Sequence, residues 1–171
     1  MTVYTTLDSP LGELLLVGEE SPTANGGTAL SSLSVPDQKG GVLAADLVDG
    51  ARADDAAFTE IARQLRAYFA GELTDFEIEF TTAGTAFQQQ VWKALETIGY
   101  GTTLTYADVA DAMGIPRTSS RAVGTAIGRN PLLVVRPCHR VLGAKGAITG
   151  YAGGVERKRL LLDLEAGRGT A

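Results

Sequence analysis

The hydrophobic periodicity of this chain changes near Thr81, and this change constrains the fold more than any other feature. Before it, apolar residues alternate in short runs separated by turn residues, which is typical of strands. After it, apolar residues recur every three or four positions between capping residues and glycines, which is typical of short helices. We therefore expect an α+β protein with two domains, residues 1–80 and residues 81–171.

The N-terminal half predicts a small antiparallel sheet with one helix packed on it. The expected strands are residues 2–8, 11–17, 30–35 and 42–48, of which the first two form a hairpin. Residues 54–70 place apolar side chains on one helical face. That face consists of Phe58, Ile61, Leu65 and Phe69. Residues 76–80 alternate strictly and form either a strand or an extended linker.

The C-terminal half predicts a set of short helices. Capping-box patterns begin helices at Thr85 and Thr105, since a Gln or an Asp follows three residues later. The expected helices are residues 85–99, 105–113, 119–128 and 154–165. The second and third are joined by a short turn and predict a helix-turn-helix. Residues 132–135 are expected to be a short strand or extended segment. In the last helix, the side chains expected to face inward are Leu160, Leu161 and Leu164.

Charge is distributed unevenly along the chain. Residues 1–120 hold 6 Lys/Arg and 17 Asp/Glu, a net charge of −11, whereas residues 121–171 hold 9 Lys/Arg and 3 Asp/Glu, a net charge of +6. Taken alone, the whole-chain charge of −5 argues against a nucleic-acid partner. The basic C-terminal third is consistent either with a local phosphate-facing surface or with solvated helix faces that bind nothing.

Several kinds of site are excluded by composition. No apolar run approaches the roughly 20 residues needed to cross a bilayer, and the first residues lack a secretory signal, so we expect a cytoplasmic protein without a membrane partner. The chain has one cysteine, Cys138, and one histidine, His139, so an internal disulfide and a zinc site made of Cys and His alone are excluded. Gly-rich phosphate loops are absent, and we expect neither a metal ion nor a cofactor.

The adjacent Cys138 and His139 are the strongest candidates for chemistry. A free cysteine is usually a small buried hydrophobe, but this one follows Pro137 and precedes two groups that can carry positive charge, His139 and Arg140. Nearby positive charge lowers the pKa of a thiol, and the thiolate is its reactive form. A redox role needs a resolving cysteine, and a hydrolase needs an oriented base and an oxyanion hole. A lone activated cysteine beside a helix-turn-helix favours chemistry on nucleic acid.

The segment around Cys138 resembles the acceptor motif of a known family. Residues 134–142 read Val-Val-Arg-Pro-Cys-His-Arg-Val-Leu, which is similar to that motif in the methylated-DNA–protein-cysteine methyltransferases, or O6-alkylguanine-DNA alkyltransferases. Further segments resemble the family in the same order: residues 87–95, 105–110, 121–124, 128–131, 149–154 and 158–165. The resemblance is strong over about residues 85–166 and weak over residues 1–80.

The resemblance implies a DNA-repair protein that acts once. Cys138 would accept the alkyl group from O6 of a flipped-out alkylguanine, with O4-alkylthymine as a second substrate, and the thioether would not turn over. His139 would take the thiol proton through a water, and Glu165 would orient the imidazole. Tyr106 would direct its hydroxyl to the leaving base and help to turn the nucleotide. Asn130 would hold the helix-turn-helix against the active-site loop.

The resemblance also implies how DNA is bound. Double-stranded DNA would dock through its minor groove, and Arg121 would enter the base stack in place of the flipped nucleotide. Small residues would let this helix approach the groove closely, namely Ala122, Gly124 and Ala126. The substrate pocket would be lined by Val141, Tyr151 and Ala152. The implied fold is an RNase H-like sheet domain followed by a helical DNA-binding domain, and the implied state is a monomer.

One position departs from the family. Arg136 stands directly before Pro137, where the family usually has an aliphatic residue; it either faces solvent or DNA or disturbs the packing behind Cys138. Three other functions remain open. They are a lesion-binding protein that transfers nothing, a sequence-specific helix-turn-helix regulator with an incidental thiol, and a cysteine hydrolase with multiple turnovers.

Overall fold

The computed structural model describes residues 1–38 and 44–167. These residues form two compact units, which are divided between Thr82 and Ala83. The first unit carries a sheet and a helix, and the second is mainly helical. The expected α+β class is therefore confirmed. In the described ranges no helix is long and apolar enough to cross a membrane.

The first unit is built on a four-stranded sheet with the strand order β3-β2-β1-β4. Its strands are β1 (Thr2–Ser9), β2 (Gly12–Glu20), β3 (Thr28–Ser34) and β4 (Arg52–Ala53). The expected hairpin pairs β1 with β2 in antiparallel register, from Thr2 opposite Glu19 to Ser9 opposite Gly12. The short edge strand β4 runs parallel to β1. The sheet is therefore mixed rather than purely antiparallel.

Two further segments of the first unit were considered as strands in the sequence analysis but are not regular strands of the sheet. A strand was expected at residues 42–48, and its first two residues lie outside the described residues. The rest of this prediction was wrong: Ala44–Leu47 form α1, a single helical turn. Its two alanines favour helix. The alternating segment at residues 76–80 runs extended beside β3, where Phe80 forms a parallel bridge with Leu30.

Helix α2 (Thr59–Phe69) packs against β1. A 3₁₀ turn (Asp55–Phe58) precedes it, and the Asp54 carboxylate caps that turn by accepting the Ala57 N–H at 3.2 Å. The large apolar side chains that it and the turn bury are Phe58, Ile61, Leu65 and Tyr68. Tyr68 thus occupies the inward position expected for Phe69, which is only half-buried.

The second unit consists of short helices whose starts follow the sequence signals. Its described α-helices are α3 (Ala86–Leu95), α4 (Tyr106–Ala112), α5 (Ser120–Gly128) and α6 (Val155–Glu165). Both expected capping boxes form. Thr85 Oγ1 accepts from the Gln88 N–H at 3.1 Å, and Thr105 Oγ1 accepts from the Asp108 N–H at 3.1 Å. The Trp92 indole donates to the Ala126 carbonyl at 2.9 Å and so joins α3 to α5.

A two-residue parallel ladder positions α4 beside the segment that contains the cysteine. It pairs β5 (Leu104–Thr105) with β6 (Val141–Leu142). β5 leads directly into α4, and β6 directly follows a 3₁₀ turn at Cys138–Arg140. The start of α4 and the reactive segment are therefore held side by side.

Candidate active site

The residues before Cys138 form a tight loop instead of the strand or extended segment expected at residues 132–135. The Val135 N–H donates to the Leu133 carbonyl at 2.8 Å, and Val134 between them has φ of 70°. A left-handed conformation is strained for a buried, β-branched residue. The Cys138 N–H then donates to the Arg136 carbonyl at 2.7 Å, which closes a second turn. The apolar run is folded back on itself, so its pattern alone was misleading.

The buried side chain of Asn130 holds this loop in its strained shape. Its Oδ1 accepts from the Leu132 N–H at 3.0 Å and from Arg136 Nη1 at 3.2 Å. Its Nδ2 donates to the Leu132 carbonyl at 3.1 Å and to the Arg136 carbonyl at 3.3 Å. All four bonds lie within the loop. The side chain therefore organises the loop itself, and the Asn130 backbone N–H donates to the Ile127 carbonyl of α5.

Cys138 begins the 3₁₀ turn and is only 4% exposed. Burial raises the pKa of its thiol to about 11. Three neighbours oppose this rise: a hydrogen bond from the Asn130 side chain and the positive charges of Lys158 and Arg136. The sulfur is therefore a protonated thiol at neutral pH, in an environment that favours its anion more than burial alone would.

His139 is completely buried and paired with a carboxylate. Its Nε2 lies 2.7 Å from Glu165 Oε2, and because a carboxylate only accepts, Nε2 carries the donated proton. Burial lowers the pKa of His139, although Glu165 acts in the opposite direction. The imidazole is thus neutral at pH 7, and its Nδ1 carries a lone pair. Within the part of the chain that is described, Nδ1 has no hydrogen-bond partner.

Arg140 compensates the buried charge of Glu165. Its Nε donates to Glu165 Oε1 at 2.7 Å, its Nη2 donates to Oε2 at 3.0 Å, and its Nη1 donates to the Ile98 carbonyl at 2.5 Å. A buried carboxylate is stable only with such partners. Because Arg140 provides the positive charge, His139 can remain neutral beside Glu165.

Lys158 occupies an inward position on α6 that an apolar residue would normally fill. It is 1% exposed, and its Nζ donates to the Val141 carbonyl at 2.6 Å and to the Thr149 carbonyl at 3.1 Å. Leu161 is buried as expected, as is Leu164, but Leu160 is only half-buried. The inward face of α6 thus runs through Lys158, Leu161 and Glu165, at positions i, i+3 and i+7.

The three residues expected to line the substrate pocket differ in burial. Val141 is fully buried and directly follows the 3₁₀ turn, Tyr151 is 8% exposed, and Ala152 is half-buried. The Tyr106 hydroxyl accepts a hydrogen bond from Thr149 Oγ1 at 3.4 Å. Lys158 and Tyr106 thus contact the same loop, which connects Val141 to the Tyr151 segment. The described residues contain no group of three or more side chains suited to holding a metal ion.

Comparison with known proteins agrees with this geometry. Family models described as the DNA binding domain and the ribonuclease-like domain of 6-O-methylguanine DNA methyltransferase match residues 86–167 and 30–82. A methylated-DNA–protein-cysteine methyltransferase of Mycobacterium tuberculosis is 46% identical over 100% of this chain and 96% of its own. The constitutive enzyme of Bacillus subtilis is 42% identical, with 96% of each chain covered.

A solved structure extends the likeness to the fold. The crystal structure of Mycobacterium tuberculosis OGT in complex with DNA matches with a TM-score of 0.85 and 46% identity, over 99% of this chain and 96% of that one. The chain belongs to the methylated-DNA–protein-cysteine methyltransferase family. The match over residues 30–82 also confirms the ribonuclease-like N-terminal fold.

In this methyltransferase, α5 carries four residues that the sequence predicts to contact DNA, and they differ in exposure. Arg121 and Ala122 are exposed, and Gly124 is half-buried against the ring of Tyr106, 3.5 Å from where its Cβ would be. Ala126 is only 3% exposed, which leaves it little free surface, and its expected contact with DNA stays a prediction. It follows Arg121 by five residues, about 140° around the helix, and therefore faces α3.

Three charged residues of the candidate site lie outside the predicted set: Arg136, Arg140 and Lys158. Of these, the sequence had indicated only Arg140, as a positive charge near the thiol. Composition suggests that charged residues lie on a solvated surface, but all three of these side chains are buried. The spacing of Lys158, Leu161 and Glu165 is the sequence signal that could have found Lys158, because it places two charges on the same helical face as a buried leucine. Nothing in the local pattern predicts that Arg136 turns inward.

Proposed function

We propose that this methyltransferase repairs alkylated DNA by transferring one alkyl group from O6 of guanine to Cys138, once per molecule. The observation that carries the proposal is the buried thiol next to a neutral imidazole, whose Nε2 is held by Glu165 and whose Nδ1 can accept a proton. The names of the relatives, which specify methylated DNA and a protein cysteine, support the same chemistry.

The reaction is a displacement at the alkyl carbon. The Cys138 sulfur forms a bond to that carbon while the bond from the carbon to O6 breaks, and the bonding pair goes to the guanine. The thiol proton passes through a water to His139 Nδ1, which then releases it to solvent. The guanine anion takes a proton from solvent at its ring, with the Tyr106 hydroxyl stabilising the developing charge. O4-alkylthymine contains the same kind of oxygen–alkyl bond and is proposed as a second substrate.

The product explains why the protein acts only once. A thioether has no acyl carbon for water to attack, and the chain has no second cysteine that could exchange with it. Regeneration would need a separate nucleophile with access to the alkyl carbon, whereas Cys138 is almost completely buried. We therefore propose a stoichiometric reaction that leaves S-alkylcysteine in the protein.

Burial of the sulfur also requires the target nucleotide to leave the duplex. A base stacked in DNA cannot reach a side chain that is 4% exposed, so the nucleotide must flip into the pocket at a cost of a few kcal/mol. We propose that the backbone of Val141 and of Ala152 contacts the flipped base, and that Tyr151 borders the alkyl group. The Val141 carbonyl accepts a hydrogen bond from Lys158 Nζ and retains a second lone pair for the base.

The DNA-facing surface proposed here consists of α4 and α5 as a helix-turn-helix. Exposed Arg121 would replace the flipped nucleotide in the stack, and exposed Ala122 with half-buried Gly124 would allow close approach to the minor groove. Minor-groove binding reads shape more than base identity, which suits a protein that must find damage in any sequence.

Mass spectrometry tests this proposal directly. The protein is incubated with a duplex that carries one O6-methylguanine, and with the undamaged duplex as a control. We expect the damaged duplex alone to add one methyl group, which peptide mapping places on Cys138, and Cys138→Ser to gain none. Lesion binding without a gain in mass would favour a silent lesion-binding protein, and equal, sequence-dependent binding of both duplexes would favour a regulator.

A further inference from the structure

Arg136 carries a charge into the interior directly behind the reactive loop. It is 3% exposed, and its guanidinium carbon lies 5.0 Å from the centroid of the Trp92 ring. Its Nε donates to Glu96 Oε2 at 3.3 Å, at the end of α3 where Glu96 is partly exposed. Burial lowers the pKa of Arg136, but an arginine remains charged at any pH at which the protein is folded.

The charge is stabilised by the fold, so it does not disrupt the packing. A guanidinium stacks well on an indole face, and its N–H groups reach both a carboxylate and an amide oxygen. Trp92 in turn is fixed by its bond to the Ala126 carbonyl. Because Arg136 is enclosed in this way, it is available neither to solvent nor to phosphates.

Arg136 also encloses the amide of Asn130 from two sides. Its Nη1 donates to Asn130 Oδ1, and its own carbonyl accepts from Asn130 Nδ2. A guanidinium nitrogen can only donate, so the amide atom that faces it must be the oxygen. The Leu132 N–H imposes the same orientation. The Asn130 NH₂ group is thereby directed to the opposite side, where its two hydrogens are shared among the two loop carbonyls and the Cys138 sulfur.

We propose that Arg136 is a positioning residue for alkyl transfer, which locks the Asn130 amide with its N–H groups toward Cys138 and holds a permanent positive charge near the sulfur. The inference rests on the proposed function, because it assigns Arg136 a part in activating the same thiol. A reversed or mobile Asn130 amide would present an oxygen to the thiolate and repel it. An aliphatic side chain at this position would supply neither the lock nor the charge.

Other charged groups also affect the stability of the Cys138 thiolate, and the effect of Arg136 must be separated from theirs. Lys158 on α6 favours the thiolate by its charge. His139 is neutral, and Glu165 is compensated by Arg140, so this trio contributes little net field. Glu96 opposes Arg136, since its carboxylate partly cancels the charge of the guanidinium. Arg136 and Glu96 should therefore influence the thiol in opposite directions.

The test measures the reactivity of Cys138 without DNA, which is possible because the chain has one cysteine. The rate of alkylation by iodoacetamide is followed as a function of pH for the wild type, Arg136→Leu and Glu96→Gln. We expect Arg136→Leu to shift the profile to higher pH and to slow the reaction about three- to tenfold at pH 8, since half a pKa unit to one unit changes the thiolate fraction by that factor. We expect Glu96→Gln to shift the profile to lower pH.

Two further measurements separate positioning from loss of structure. Arg136→Lys keeps the charge but not the forked donors, and we expect it to restore the profile only in part. With a duplex that carries O6-methylguanine, Arg136→Leu should transfer methyl more slowly at saturation, while its affinity for undamaged duplex remains within twofold of the wild type because Arg136 is buried.

Specific results would overturn the inference. An Arg136→Leu protein with the wild-type pH profile would do so, as would shifts of Arg136→Leu and Glu96→Gln in the same direction, which indicate a general disturbance of the loop. A large loss of affinity for undamaged DNA would place Arg136 at the DNA surface instead. Because iodoacetamide reports on the thiol alone, failure of this inference is distinguishable from failure of methyl transfer from DNA.

Discussion

The protonation state of His139 depends on the charges of two neighbouring residues in the candidate site. Its Nε2–H is held by Glu165, and Arg140 supplies the charge that this carboxylate needs. A protonated His139 would add a second positive charge beside the buried ion pair of Arg140 and Glu165, and burial keeps the ring neutral. The neutral ring is the form that can take a proton from the thiol.

The same burial makes stability depend on pH. Because the pKa of His139 is lowered in the folded protein, the unfolded chain binds a proton on this residue at a higher pH than the folded chain does. Its contribution to stability is therefore complete above about pH 6.5 and declines as the pH falls below that value, by at most about 1.4 kcal/mol per pH unit.

Urea denaturation between pH 7.5 and 5 measures this slope. We expect the free energy of unfolding of the wild type to decrease more steeply below pH 6.5 than that of His139→Gln, which retains a donor toward Glu165 but does not titrate. Identical slopes for the two proteins would contradict a lowered His139 pKa.

At the scale of elements, the helices were largely predictable and the reactive loop was not. The Thr85 and Thr105 capping boxes are local signals, and both form where the sequence places them. The turn at Val134 depends on bonds from a side chain four residues earlier, Asn130, and on the burial of Arg136. A short apolar run does not contain that information, so periodicity indicated a strand.

Gly124 on α5 is a site where stability and DNA binding should separate. A Cβ there would meet the Tyr106 ring at 3.5 Å, an ordinary contact, so Gly124→Ala should raise the free energy of unfolding by up to about 1 kcal/mol. If α5 enters the minor groove, the same methyl should weaken binding to duplex DNA several-fold.

Thermal denaturation and a duplex titration check both expectations. Gly99→Ala, four residues beyond the end of α3, is the control outside α5 and should leave DNA affinity unchanged. Wild-type affinity for Gly124→Ala would argue against close approach of this helix.

Arg121 on the exposed face of α5 should matter for flipping more than for chemistry. Arg121→Ala should slow methyl transfer from duplex DNA on the order of tenfold, since each 1.4 kcal/mol of lost stabilisation of the flipped state corresponds to a factor of ten. Transfer from the free base O6-methylguanine should hardly change.

Arg129→Ala, which removes an exposed charge near the end of the same helix, controls for general electrostatics. Equal losses on duplex and free base would refute a role for Arg121 in the stack.

At the scale of the whole molecule, the excess of basic residues in the C-terminal third does not lie entirely on the surface. Arg136, Arg140 and Lys158 belong to the basic third of the chain, yet all three are buried and act inside the protein. The exposed basic residues described in that region include Arg121 on α5 and Arg129 directly after it. The sequence therefore overestimated the basic surface, because burial of charge depends on tertiary partners that composition does not show.

Binding to DNA should weaken with salt in spite of the net charge of −5, since only local charges meet phosphates. With about three phosphates contacted, the logarithm of the binding constant should fall against the logarithm of salt concentration with a slope of roughly −3. Fluorescence anisotropy with an undamaged duplex measures it. Arg66→Ala, in the N-terminal unit, should leave the slope unchanged, whereas a slope near zero for the wild type would exclude a phosphate-facing surface.

The stoichiometry of repair tests the central claim most directly. A fixed amount of protein is mixed with increasing excesses of duplex containing O6-methylguanine, and the unmodified guanine formed is measured at completion. Repair should level off at one guanine per Cys138, and Cys138→Ser should repair none. Continued repair beyond one equivalent, or repair by Cys138→Ser, would contradict the account.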